Sequence, residues 1–365
     1  MTSKPFILAT PDYSQMGLGK RGDYLGDHIF QKLERYNASF KQVYVNVVPF
    51  ADGSEKTETE DNVRRSEVYL VSPMYTDGSQ HVGINNHMLS DLKRSRGSVT
   101  TLIEPYNPFF SQDKRKTREP VTARDVLEVY EKMGANYILT FDPHSETLVM
   151  ASSLDCPLEP LQLSGNLAVA FRKLYGMDNC VVASPDVGGY PRAELFSNLL
   201  GLPLIGVRKV RYGKDKTKAL EIIGDVNKHV KGKNIIFRDD VLRTAGSLET
   251  AGKLVKDFGA KKVYACLTHF SPCSDAYKRL YENDIGLLTT NTVPLISSTV
   301  PKEYRDFVNK NVKILDISDT AAQIIAKESA GGSLRGFFDY SFEQIGHGND
   351  PENIEIKFMD LDLIT

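Results

Sequence analysis

The sequence predicts an α/β protein of two domains, each built around a mainly parallel sheet. Three observations point there. The 365 residues are about twice what an average domain needs. Short β-branched runs alternate with helix-period segments, the pattern of parallel strands joined by right-handed crossovers. The strand runs fall into two sets, one before about residue 150 and one after about residue 178.

The first set begins with a helix candidate, Leu25 to Glu34, which places Leu25, Ile29 and Leu33 four apart on one face. Strands are expected at Gln42–Val48, Glu67–Ser72, Ser98–Ile103 and Tyr137–Phe141, and a helix at Thr122–Met133 behind Pro120, which suits a helix start. Ser152–Ser164, with Pro157 and Pro160 and neither period, reads as a hinge region. The second set holds strands at Cys180–Ala183, Asn234–Phe237, Lys262–Leu267, Gly286–Thr289 and Val312–Asp316. Its helices are Leu167–Leu174, Arg192–Leu200, Ala245–Phe258 and Thr320–Glu328. The strand runs are continuously apolar, as strands covered on both faces are. After Phe338, a tail broken by Gly346, Gly348 and Pro351 ends in Ile354–Ile364, which alternates apolar and polar residues like a short strand. The expected domains are therefore 1–160 and 161–340, with a tail at 341–365.

Charge excludes one large class of function. Lys and Arg number 45 against 47 Asp and Glu, without the basic excess of a protein whose main partner is nucleic acid. No apolar run approaches the roughly 18 residues of a membrane span, and the apolar stretch at the start is too short for a secretory signal. Cys156, Cys180, Cys266 and Cys273 have no CxxC spacing and read as reduced thiols. A soluble cytoplasmic protein with neither membrane nor nucleic acid as partner is expected.

The most informative segment is Ile235–Glu249. An apolar strand ends in Asp239 and Asp240, and the turn Thr244-Ala245-Gly246-Ser247 opens a helix. Small residues let backbone N–H groups approach an anion, and the helix N-terminus adds partial positive charge. Paired acids just upstream suit vicinal hydroxyls or a metal, so phosphate and hydroxyls together describe a pentose phosphate. In isolation the same residues also fit a capped helix with solvated acids. A second strand exit, Ser184-Pro185-Asp186-Val187-Gly188-Gly189, brings backbone close to a ligand beside an acid. At a third, Asp142 and His144 leave an extended chain on one side, as ligands for a divalent ion or as an ordinary surface turn. Three such exits fit the rule that α/β sheets bind ligands beyond the carboxyl ends of their strands.

Together the motifs SPDxGGxxRA, a basic K-x-R and DDxxxTxGS resemble the ribose-phosphate pyrophosphokinase (phosphoribosyl pyrophosphate synthetase) family. Phe50-Ala51-Asp52-Gly53-Ser54 resembles that family's FSDGE loop, and the stretch from Pro105 through Gln112-Asp113 to Ala123 resembles PYxxxxRQD…REPITA. Asp142-Pro143-His144 is similar to DLHA, Thr268-His269 to THG and Thr289–Pro294 to TDTIP. The resemblance implies two phosphoribosyltransferase-like, Rossmann-like domains related by a pseudo-twofold. It also implies transfer of pyrophosphate from ATP to the 1-hydroxyl of ribose 5-phosphate with Mg²⁺, in a homo-oligomer of the hexamer-of-dimers type. Carried over by position, Asp142, His144 and Asp186 are metal ligands, with His144 also at the nucleotide phosphates. Phe50, Asp52, Gln112 and Asp113 fall where the family holds ATP. Asp239 and Asp240 address the ribose hydroxyls, and Thr244, Ala245, Gly246 and Ser247 cradle the 5-phosphate. Counting back without a gap from Ile222-Ile223-Gly224-Asp225 places the catalytic Lys and Arg at Lys209 and Arg211, in a basic loop over Val207–Lys216.

Four positions depart from the pattern. Ser111 stands where the family has the Arg of RQD, and Arg243 replaces the Asp before the phosphate-binding Thr. Ser54 replaces the Glu of FSDGE, and Asn291 the Asp of TDTIP. These leave open a non-catalytic associated subunit that modulates active partners, and a phosphoribosyltransferase that consumes the activated sugar.

Overall fold

A computed structural model describes residues 5–145, 147–212, 217–273, 275–296, 299–337 and 356–359. The chain divides into two units: Met1–Gln162 with Thr292–Pro294 and Ile317–Asp339, and Leu163–Asn291 with Leu295–Asp316 and Tyr340–Thr365.

In the first unit the strands are β1 (Phe6–Asp12), β2 (Phe40–Pro49), β3 (Glu55–Thr59), β4 (Glu67–Val71), β5 (Val99–Ile103), β6 (Tyr137–Phe141) and β7 (Leu158–Leu161). They form one sheet in the order β3-β2-β1-β4-β5-β6-β7, parallel throughout except for the β2–β3 hairpin. Helices α1 (Leu25–Leu33), α2 (Gly78–Arg94), α3 (Thr122–Met133) and α4 (Leu148–Ala151) connect them. Helix α3 buries Ala123, Val126, Leu127 and Tyr130, the 3–4 spacing of one helical face.

The second unit repeats this plan. Its helices are α5 (Ser164–Tyr175), α6 (Tyr190–Leu200), α7 (Val226–His229), α8 (Gly246–Asp257), α9 (Ala276–Glu282) and α10 (Arg305–Asn311). Its strands are β8 (Cys180–Ser184), β9 (Leu204–Tyr212), β10 (Thr217–Ile223), β11 (Asn234–Leu242), β12 (Lys262–Phe270), β13 (Ile285–Thr290) and β14 (Val312–Leu315). They run in the order β10-β9-β8-β11-β12-β13-β14, again parallel apart from one hairpin, β9–β10. Adding seven to each strand number of the first sheet gives the second. In both, the chain turns one way from the first strand and the other way from the fourth, so β1/β4 and β8/β11 are the topological switch points where such sheets receive ligands.

Helix α11 (Ser318–Ser329) belongs to the first unit. Tyr36 Oη donates to Asp319 Oδ2 at 2.8 Å, and the Tyr69 hydroxyl bonds Glu328. Every strand and helix expected from sequence up to residue 329 has a counterpart here, but two segments differ from expectation. The Ser152–Ser164 region contains strand β7, paired in parallel with β6 from Ile138↔Leu158 to Phe141↔Leu161. Pro160 is tolerated because β7 is the last strand of its sheet and needs no donor on its outer side. The basic segment Val207–Lys216 is no loop at its start: Val207 to Tyr212 lies on β9, antiparallel to β10. Of the C-terminal tail, residues 356–359 lie along β14, with an antiparallel bridge Leu315↔Phe358 and Met359 N–H donating to Ile314 C=O at 2.9 Å. The rest of the expected Ile354–Ile364 strand lies outside the described residues. All four cysteines are free, and only Cys273 is exposed. Burial pushes the Cys156 thiol up to about 12, consistent with an inert structural thiol.

Candidate active site

In the second unit the switch point carries the acids. Strand β8 ends at Ser184, whose Oγ donates to Asp186 C=O at 2.6 Å, and Gly189 N–H donates to Asp186 Oδ1 at 3.0 Å. A Cβ on Gly189 would lie 3.1 Å from Ser184 Oγ and 3.4 Å from Asp239 Oδ1. The glycine thus lets the turn before α6 close against the acids of β11.

Asp240 N–H donates to Asp239 Oδ1 at 2.9 Å. Burial and then the adjacent Asp240 carboxylate raise the Asp239 carboxyl well above the aspartate range, while Arg192 pulls it the other way. Arg192 Nη1 stands 3.7 Å from Asp239 Oδ1 and 3.6 Å from Asp240 Oδ1. Directly before the pair, Arg238 is completely buried, with Nη2 donating to Ser164 Oγ and Thr268 Oγ1 at 3.1 Å each. It ties the acid-bearing strand to the start of α5 and to β12. Sequence reasoning singled out neither arginine as a site residue. Arg192 sits inside a matched motif, but nothing in an apolar run announces a buried guanidinium at 238.

Beyond the acids the chain turns into α8. Ala245, at φ 58°, ψ 9°, is left-handed and buried, a conformation that costs a non-glycine residue about 1–2 kcal/mol. The strained turn leaves Thr244 and Ser247 exposed at the start of a 12-residue helix, whose first N–H groups have no intrahelical partners. Arg279 Nη1 holds the turn from outside, donating to Thr244 C=O at 2.7 Å. The turn thus presents two hydroxyls and the start of a helix beside a buried acid pair.

On the β9–β10 hairpin, Lys209 pairs with Leu220 and Arg211 with Lys218. Two residues apart on one strand, they share a face; their side chains lie outside the described residues.

The first unit carries the remaining expected residues on three turns. Phe50 is half exposed in the β2–β3 turn, where Ser54 N–H and Oγ donate to Asp52 Oδ1 at 3.0 and 2.6 Å. Those two bonds hold the Asp52 carboxyl below its ordinary range. Gln112 and Asp113 follow a short 3₁₀ turn, Pro108–Ser111. Ser111 Oγ turns back to Pro108 C=O at 3.0 Å. On the same connection Arg115, Arg118 and Arg124 line a cavity of about 500 Å³, with Glu119 and Asp125 also on its wall. Asp142 leaves β6 buried, at φ 35°, while His144 is exposed. Asp113 Oδ2 accepts from Thr147 Oγ1 at 2.9 Å, joining the Gln112–Asp113 segment to the turn after His144. Burial opposes ionisation of Asp113, but the Thr147 and Ser145 hydroxyls and Lys114 hold its pKa below the ordinary value. Among the described residues no three His, Cys, Asp or Glu side chains form a ready metal cage. In the first unit Asp142 and His144, and in the second unit Asp186, are each donors of the hard or borderline kind that suits a phosphate-bound divalent ion.

Two family models match the chain: the N-terminal domain of ribose phosphate pyrophosphokinase over residues 18–134, and the phosphoribosyl transferase domain over 154–293. A ribose-phosphate pyrophosphokinase of Xylella fastidiosa is 31% identical over 295 residues, covering 79% of this chain and 87% of its own. The chain belongs to the ribose-phosphate pyrophosphokinase family. The namesake of Halalkalibacterium halodurans is 29% identical over 80% of this chain and 89% of its own length. Among solved structures, phosphoribosylpyrophosphate synthetase from Mycobacterium smegmatis superposes with a TM-score of 0.73 at 25% identity, over 90% of this chain and all of that one. Both units are accordingly phosphoribosyltransferase-like domains, as the order of motifs implied. No described helix is long and apolar enough to cross a membrane.

Proposed function

We propose that this chain is a ribose-phosphate diphosphokinase: it transfers the pyrophosphate of ATP to the 1-hydroxyl of ribose 5-phosphate, giving phosphoribosyl pyrophosphate and AMP. The observation that carries the reading is the arrangement on β11 and α8, an acid pair followed by a strained Thr-Ala-Gly-Ser turn whose two hydroxyl residues are exposed, in a chain that covers 87% and 89% of the two pyrophosphokinase relatives above. The turn from Thr244 to Ser247 receives the 5-phosphate with backbone N–H groups and two hydroxyls. Asp239 and Asp240 accept hydrogen bonds from the ribose hydroxyls, and Arg192 limits the repulsion between them. Gln112, Asp113, Phe50 and Asp52 hold the nucleotide.

Magnesium, when bound, neutralises the phosphate oxygens; Asp142 and His144 of the first unit are residues that would hold it, and Asp186 of the second unit would hold a second metal position. Lys209 and Arg211 offset the charge that grows on the transferred phosphoryl oxygens as the bond to AMP weakens. Phosphoryl transfer needs positioning and neutralisation more than covalent chemistry. The wider reading is a cytoplasmic homo-oligomer with domains 1–160 and 161–340 and a tail from 341.

One observation favours a second reading. Ser111 folds onto its own turn where the family has a cation, which fits a non-catalytic subunit that binds ligand and modulates partners. AMP release from ATP, Mg²⁺ and ribose 5-phosphate separates the two: sugar-dependent AMP supports the enzyme, and nucleotide binding without AMP supports the subunit.

A further inference from the structure

Glu104 follows β5 and is fully buried, with its N–H donating to Leu139 C=O at 3.0 Å. One oxygen, Oε1, gathers the surrounding polar side chains. Asn85 Nδ2 donates at 2.9 Å, Asn107 Nδ2 at 3.0 Å and Tyr130 Oη at 2.8 Å, and His81 Nε2 lies at 2.9 Å. His81 and Asn85 come from α2 and Tyr130 from α3, and all are buried. Ser72 Oγ extends the cluster, donating to Asn85 Oδ1 at 2.6 Å. Such a hub is a poor way to gain stability, because apolar residues of the same volume would avoid desolvating a carboxyl group. What it does provide is one fixed geometry.

That geometry is passed on through Asn107. While its Nδ2 is held by Glu104, its Oδ1 accepts Phe109 N–H at 2.9 Å and caps the Pro108–Ser111 turn. The turn ends with Gln112 N–H donating to Phe109 C=O at 2.8 Å, and Ala123 N–H donates to Gln112 C=O at 3.2 Å. Gln112 is therefore anchored on one side to the turn that Asn107 caps and on the other to α3, whose Tyr130 reaches the same Glu104 oxygen. No matched motif includes His81, Asn85 or Glu104, and Asn107 falls at an unspecified position of the Pro105–Ala123 match.

We infer that Glu104 is a positioning residue for the nucleotide-holding segment, acting through Asn107 on Gln112 and Asp113. The inference rests on the role given to Gln112 and Asp113 above. It is tested on the full-length protein with Glu104→Gln and with Asn107→Ala, which leaves the other bonds of the hub intact should the first variant fold poorly. Two readouts are taken: amide hydrogen exchange along the chain, and the Michaelis constants for ATP and ribose 5-phosphate.

Loss of a partner that leaves a buried donor unsatisfied weakens the held state about tenfold or more. Exchange should accelerate by about that factor within residues 108–113 and stay unchanged in α8 and β11. The Michaelis constant for ATP should rise about tenfold, with that for ribose 5-phosphate moving less than about twofold. Unchanged exchange at 108–113, or acceleration spread evenly over α2 and β5, overturns the inference. So does an equal rise in both Michaelis constants. A wild-type protein that releases no AMP overturns the proposed reaction instead, and the exchange pattern then decides the inference alone.

Discussion

The acid pair of β11, which the proposed function places at the ribose hydroxyls, also makes stability depend on pH. Because burial and Asp240 raise the Asp239 pKa, the folded chain binds a proton that the unfolded chain releases near the ordinary value of 3.8. The native state holds more protons across that window, so stability contributed by this group is present at low pH and is lost as pH rises through the raised value. Thermal unfolding measured in steps upward from pH 4 should show a falling component that Asp239→Asn removes; an identical slope in the variant contradicts the assignment. In the proposed reaction Lys209 and Arg211 act on the transition state. Lys209→Ala should lower kcat by about 10²–10³-fold, as removal of one preorganised charge-stabilising donor does, with little change in KM for ribose 5-phosphate. Thr244→Ala should instead raise that KM. Lys214→Ala should stay within a few fold; steady-state kinetics in which it equals Lys209→Ala would show that the register of the K-x-R match is misplaced.

At the level of elements, the two switch points differ in the residue at the helix start: α2 has an N-cap carboxylate, whereas at α8 the Thr244 hydroxyl only accepts Gly246 N–H at a long 3.5 Å. Thr76-Asp77-Gly78-Ser79 opens α2 after β4, as Thr244-Ala245-Gly246-Ser247 opens α8 after β11. Asp77 fills its own cradle: Oδ1 accepts Ser79 N–H at 3.0 Å and Gln80 N–H at 3.1 Å. Ala245 has no such side chain. Asp77→Ala should cost about 1 kcal/mol of stability in urea unfolding, the usual effect of losing an N-cap; an unchanged midpoint would show that the cap contributes nothing. These elements were not equally legible in the sequence. Continuously apolar strands such as β8 and β12 declare themselves, whereas β7 hides behind Pro157 and Pro160, and the polar edge strand β3 buries no residue fully. Helix α2 escapes because His81 and Asn85 occupy its buried face and break the apolar period. Lys209 and Arg211 read as loop because Arg208, Lys209 and Arg211 crowd the strand with charge, and cross-strand pairing with β10 is a non-local fact. Asp239, Thr244 and Ser247 could be found because their chemistry is local in sequence. Arg238 could not, since its partners Ser164 and Thr268 are 74 and 30 residues away.

For the whole molecule, one seven-strand plan is used twice with different working parts. In the second unit the switch point carries the acid pair and the Thr244–Ser247 turn. In the first, Asp77 caps α2, and Arg21 Nε binds Asp12 Oδ2 at 2.6 Å with Glu60 on its other side. The residues expected to meet ATP therefore lie on later connections, after β5 and β6, and on the β2–β3 turn. The exposed Phe50–Ser54 turn is the part of the proposal that calls for a neighbouring copy. Sedimentation at micromolar concentration should show an oligomer, and a fully active monomer would contradict that arrangement. The central claim is met most directly by following AMP formation from ATP and Mg²⁺ with and without ribose 5-phosphate. AMP that appears with the sugar, in step with phosphoribosyl pyrophosphate, is the result predicted here; nucleotide binding with no sugar-dependent AMP would contradict it.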